Sequence, residues 1–173
     1  MKRLSAILPF LLLYSLLQAQ PANSPEEYEA AYQQRIKKET LHGVYIPKDL
    51  SDAFIQLNKL IDEESKKKFK QVDEEEAYRM LFFSFGRWIT HNWGFYGGSR
   101  LSHYLKQLGL THPDDMARFI IITYHRNLNR NSLDVKPLVE SMKEARRLEA
   151  EARRQRGTVI HEETRKREPT GDQ

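Results

Sequence analysis

The chain has 173 residues, no cysteine, a formal net charge of +4 and 30% charged residues. That length suits one domain of ordinary size rather than two, and the fold must rest on its hydrophobic core without disulfides. Basic and acidic residues are interleaved, with no basic stripe of the kind nucleic-acid binding requires, so a nucleic-acid partner is not expected.

The N-terminus reads as a signal peptide over residues 1–19. Lys2 and Arg3 form a positive start, Leu4 to Leu17 are mostly apolar, and Gln18-Ala19-Gln20 offers a small residue for cleavage after Ala19. The apolar run is shorter than the roughly 20 residues of a membrane span, so no span is expected after cleavage. Without a cysteine the chain cannot be a lipoprotein. The expectation is a secreted or periplasmic bacterial protein, and losing Lys2 and Arg3 lowers its formal charge from +4 to about +2.

Residues 20–43 read as an N-terminal helical arm. Ser24-Pro25-Glu26-Glu27 is a capping box with proline at the first helical position. The helix carries Tyr28, Ala31, Tyr32 and Ile36 on one stripe and is expected to stop near Gly43. A globular helical domain then spans residues 44–133. Val44-Tyr45-Ile46-Pro47 is an extended lead-in, because the residue before proline avoids the helical region. Asp49 or Ser51 caps a helix with Leu50, Phe54, Leu57 and Leu60 or Ile61 at helical spacing. Asp62 to Lys68 reads as a solvated face with acid–lysine pairs.

Asp73, backed by Glu74, Glu75 and Glu76, caps what reads as a buried central helix. Ala77–Trp93 is apolar nearly all round, apart from a polar row of Ser84, Arg87 and His91. Gly94 ends that helix, Gly97-Gly98 turns the chain, and Ser99 caps a helix running to Gly109. Thr111-His112-Pro113-Asp114-Asp115 opens the next, with Met116, Phe119, Ile120, Tyr124 and Leu128 inward and Ile121 and Ile122 widening the face. Asp134 is expected to cap a charged helix over 134–156, with Leu138, Met142, Ala145 and Leu148 as its apolar seam and Glu149–Arg153 as a pair. Residues 157–173 read as a disordered tail. The fold class is therefore all-α: a small single-domain bundle of about five helices around the Ala77–Trp93 helix, with a charged helical tail.

Three groups of residues carry a resemblance. Ile46-Pro47-Lys48 with Leu50, Phe85-Gly86-Arg87-Trp88-Ile89 with Asn92 and Gly94, and His112-Pro113-Asp114-Asp115-Met116 resemble a family of bacterial domains of unknown function. The resemblance covers Ile46 to Asn129, and Thr90 and His91 stand where arginine and asparagine are usual. It implies no activity.

The functional signal concentrates between Phe85 and Arg100, which hold both tryptophans, four of the eight glycines, Arg87, Arg100 and His91. Aromatic and cationic residues in a connection point to recognition. Candidate ligand-binding residues are Arg87, His91, Asn92, Trp93, Tyr96, Ser99 and Arg100, joined by His112, Asp114 and Asp115 from the next helix start. Stacking and bidentate hydrogen bonding by such residues would suit a sugar, a peptide or a carboxylate. Trp88 reads as core. Ser99 and the His112–Asp115 segment are also explained as ordinary helix caps.

No histidine falls in a metal-ligand motif and no cofactor motif is present, so neither is expected. The leading expectation is a non-catalytic binding or interaction module of the bacterial envelope, with a protein, peptide or sugar partner. The alternative is a small hydrolase using His91 or His112 with Asp114 or Asp115, with or without a metal.

Overall fold

A computed structural model describes residues 24–156. The signal peptide expected over 1–19 and the tail expected over 157–173 lie outside the described residues. Ser24 opens α1 (Pro25–Arg35), its hydroxyl accepting the Glu27 N–H at 3.2 Å. The helix stops eight residues before Gly43. Thr40–Leu41 (β1) instead pairs antiparallel with Val44–Tyr45 (β2) around His42 and Gly43, whose φ angles are +49° and +77°. A two-residue hairpin loop needs both residues left-handed, so Gly43 serves a turn rather than a helix end.

Asp49 caps α2 (Leu50–Leu60) through the Asp52 N–H, and Leu50, Ala53, Phe54 and Leu57 face inward. Asp62 caps α3 (Glu63–Gln71), where Glu64 and Lys68 pair in solvent as expected. Lys66 departs from that solvated face. It is nearly buried and donates to the Asn58 carbonyl at 2.9 Å and to Glu63 at 2.7 Å, joining α3 to the end of α2.

Asp73 caps α4 (Glu74–Leu81), which passes through a π-helical turn (Phe82–Gly86) into α5 (Arg87–Asn92). This rod is not buried on every side, contrary to its composition. Met80 is 62% and Phe83 77% exposed, Ser84, Arg87 and His91 are also in solvent, and only Ala77, Gly86, Ile89, Thr90 and Trp93 are buried. The π turn explains the inward row. Ala77 and Ile89 are twelve residues apart, which strict α-helical spacing would set roughly 120° apart; one extra residue in a turn brings them into line.

The helix that is enclosed is α7 (Pro113–Leu128). It buries Met116, Ala117, Phe119, Ile120, Ile121, Ile122, Thr123, Tyr124 and His125, and it packs against α2, α3, α4, α5, α8 (Val135–Arg156) and α6 (Arg100–Gln107). The all-α class expected from sequence is the observed one, with α7 in place of Ala77–Trp93 at its centre. The phenol of Tyr124, pushed up to about 12 by burial, donates to Asn58 Oδ1 at 2.9 Å. Leu128 is only half-buried.

Before α8, Asp134 sits at φ +43° and its carboxylate accepts from the Ser132 hydroxyl at 2.6 Å, so its side chain is engaged with the preceding turn. Leu138, Val139 and Met142 hold α8 to the domain, while Leu148 is exposed and Arg153 pairs with Glu149 at 3.0 Å. Among the described residues no helix is long and apolar enough to cross a membrane.

The two apolar helices should therefore respond differently to substitution. Phe83→Ser should leave stability within about 0.5 kcal/mol of the parent, whereas Phe119→Ala should cost about 3–5 kcal/mol, both read by chemical denaturation.

Candidate functional site

The loop from Gly94 to Ser99 is shaped by glycine. Gly94 leaves α5 at φ +65° and Gly98 turns at φ +87°, after which Ser99 and Ser102 cap α6 reciprocally. The glycine pair also admits α1. A β-carbon on Gly98 would lie 2.4 Å from the Tyr32 ring, and one on Gly97 would lie 2.8 Å from the Arg35 guanidinium. Arg35 Nε donates to the Gly98 carbonyl at 3.1 Å, and the Tyr32 hydroxyl meets His103 Nδ1 at 3.2 Å beneath the Lys106 ammonium. The N-terminal arm is thus docked on the loop by a close backbone approach that only glycine permits.

Two depressions open on either side of His91 and Tyr96. The larger, a groove of about 520 Å³, is lined by Arg35 from α1, by Leu41, His42 and Val44 from the hairpin, and by Thr90, His91, Asn92, Gly94, Tyr96 and Gly97. The smaller, a cleft of about 190 Å³, is lined by Phe82, Gly86, Arg87, Thr90, His91, Tyr96 and Asp114. Tyr96 is 68% exposed, and Arg87 and His91 also stand in solvent.

The hairpin wall is held by a polar cluster. Asp52, itself buried, accepts from the Tyr45 hydroxyl at 2.8 Å, the Lys48 N–H at 3.0 Å and Gln56 Nε2 at 3.3 Å. Burial alone would raise the Asp52 pKa, but these hydrogen bonds and the Arg100 charge outweigh it and hold the carboxyl below its usual value. The Asp52 carboxylate in turn raises the pKa of the Tyr45 phenol.

The structure sorts the expected site residues. Arg87, His91, Tyr96 and Asp114 converge on the small cleft, and Asn92 joins the larger groove while donating to the Trp88 carbonyl at 2.9 Å. Trp93 does not belong to the surface: it is 1% exposed and packs edge-on against Trp88, with Phe95 also buried. Ser99 is fully buried and occupied as a cap.

Arg100 turns away from both depressions. Its Nε donates to the Ile46 carbonyl at 2.6 Å, its guanidinium lies 4.9 Å over the Tyr45 ring, and it reaches Glu39 at 3.4 Å. His112 caps α7, its Nδ1 accepting the Asp114 N–H at 3.2 Å. Asp115 receives the Arg146 guanidinium bidentately, fastening α8 to α7. His112 and Asp115 therefore serve the scaffold. His91 and Asp114 line one cleft, and His112 Nδ1 also lies 3.8 Å from Asp114 Oδ2. Among the described residues no group of three or more histidine, aspartate or glutamate side chains is placed to hold a metal ion.

Sequence reasoning missed Arg35, Leu41, His42 and Val44, the far wall of the groove. They stand some fifty residues before His91, in a segment whose only local signal was the turn-forming His42-Gly43 pair.

Asp52→Asn should destabilise the domain by about 1–3 kcal/mol at neutral pH, because buried donors lose a charged acceptor. A carboxyl held low in the folded state contributes above its unfolded value and loses that contribution as pH falls through the folded one. The stability gap between parent and variant should therefore shrink below the usual carboxyl value of 3.8, as followed by denaturation at stepped pH.

No curated protein and no solved structure matches the chain. Residues 46–128 match a family model described as Domain of unknown function (DUF6794), so this segment, which holds α2 to α7, is similar to an uncharacterised family of domains.

Proposed function

We propose that this chain is an exported, non-catalytic binding module of the bacterial envelope, and that the surface around Tyr96 is where it takes its ligand. The observation that carries the reading is Tyr96 itself. It is a large aromatic left 68% exposed in a loop whose neighbours Trp93 and Phe95 are buried, and it stands between two depressions lined by Arg87, His91 and Arg35. An amphipathic ring beside guanidinium and imidazole groups suits a polar ligand with a planar or apolar face, such as a sugar or a peptide. Export rests on the Lys2-Arg3 start, the Leu4–Leu17 apolar run and Ala19. The competing reading, a small hydrolase, draws on His91 and Asp114 lining one cleft. An acid–base pair there would need both groups within hydrogen-bond reach of the same substrate.

Thermal unfolding of the protein against sugars, cell-wall fragments and short peptides tests the binding reading. A ligand at a hundred times its dissociation constant should add about 2.7 kcal/mol of stability, and Tyr96→Ala should abolish that gain without lowering the unliganded midpoint. Turnover of an ester or peptide probe that is lost in His91→Ala would favour the hydrolase instead. Export predicts that mass spectrometry of the protein recovered from outside the cytoplasm finds Gln20 as the first residue.

A further inference from the structure

The two depressions differ in charge, and the difference names a ligand. The small cleft sets Asp114 against Arg87 and His91. The larger groove is lined by Arg35, His42 and His91 with no carboxylate among the described residues of its wall, and by Leu41, Val44 and Tyr96 as apolar surface. We infer that this larger groove is a carboxylate-binding site for a small acid with an apolar body, of which the C-terminal residue of a peptide is the natural form. The inference rests on the binding-module reading and specifies its ligand.

Arg35 is the anchor. Its Nε–H is spent on the Gly98 carbonyl, while its two terminal nitrogens have no hydrogen-bond partner among the described residues. A guanidinium fixed at one edge presents the remaining fork in a set orientation, which favours bidentate capture of a carboxylate. Gly97 leaves room for it, since a β-carbon there would sit 2.8 Å from an Arg35 terminal nitrogen and push that end aside. The volume of about 520 Å³ accommodates a dipeptide-sized molecule. The apolar hairpin residues lie in the same wall as His42, so a side chain and its carboxylate can be met together.

The charged and titratable groups around His91 are Arg35 from α1, His42 from the hairpin, Arg87 from its own helix, Tyr96 from the loop and Asp114 from α7.

The test is isothermal titration of the protein, expressed and processed from its full-length gene, with N-acetyl-leucyl-phenylalanine as the free acid and as the C-terminal amide. The acid is expected to bind at least tenfold more tightly than the amide. Arg35→Met should remove the preference. His42→Asn, which keeps a residue tolerant of the left-handed turn, should weaken the acid several-fold. Because Arg35 also docks α1, the unliganded unfolding midpoint is compared for both variants, and His42→Asn carries the conclusion if Arg35→Met unfolds. Equal binding of acid and amide overturns the carboxylate site, as does acid binding indifferent to both substitutions. If neither peptide binds while another ligand still raises the unfolding midpoint through Tyr96, this inference falls and the binding module stands. If nothing binds, both fall.

Discussion

The enclosure of α7 is the constraint on which the other elements depend. A helix enclosed along most of its length has its polar positions answered largely from other segments, and those answers fix where the neighbours lie. Arg126 binds Glu74 through two hydrogen bonds of 2.6 and 2.7 Å and also donates to the Leu133 carbonyl, so it ties α4 and the lead-in to α8 to one side chain. Arg118 reaches Glu75 at 3.2 Å and lies 4.6 Å over the Tyr78 ring. Asp115 holds Arg146 of α8. His125, itself buried, meets the Val72 carbonyl at 3.0 Å and packs edge-on against Phe69. Charged groups that look like solvent-facing decoration on α7 are in fact the couplings that orient α3, α4 and α8 around it.

A second close approach assembles the candidate site. α1 contributes no buried residue of its own, yet Tyr32 and Arg35 settle on the Gly97-Gly98 backbone. Its docking depends on missing side chains in the loop rather than on an apolar face of the helix. The hairpin is held independently, by Arg100 on the Ile46 carbonyl and by Asp52 beneath Tyr45. The groove is therefore walled by segments fastened through separate polar contacts, and Arg35, Leu41, His42 and Val44 all precede the residues that match the domain family.

Most helix starts were legible in the chain, whereas Gly43 and Asp134, which serve turns, and the long-range pairings were not. Ser24, Asp49, Asp73 and Ser99 cap the helices whose starts they mark, because capping is settled by a side chain and an N–H three residues on. The exposure of Met80 and Phe83 was hidden because composition carries no phase information, and nothing local announces that Phe82–Gly86 winds as a π turn. The central place of α7 was hidden because the partners of Asp115, Arg118 and Arg126 stand between 31 and 52 residues away. Of the site, Arg87, His91, Tyr96 and Asp114 were readable as chemistry in one short stretch and the next helix start. Trp93 was misplaced by its position at a helix end, where Gly94 folds it back into the core.

The π turn links the packing to the site. In an uninterrupted α-helix from Glu74, the residues after the turn would be rotated by roughly 100° relative to α4. Ile89 would then leave the line of Ala77, and the outward row of Arg87 and His91 would swing with it. As built, one extra residue allows both helical pieces to press apolar residues on α7 while Arg87 and His91 stay in solvent beside Tyr96. The irregularity also leaves Phe83 outside, an apolar ring with no place in the core that the turn creates. Local distortion of this kind is common where a helix carries function. Here the distortion is what makes inward packing and outward chemistry compatible along one short rod.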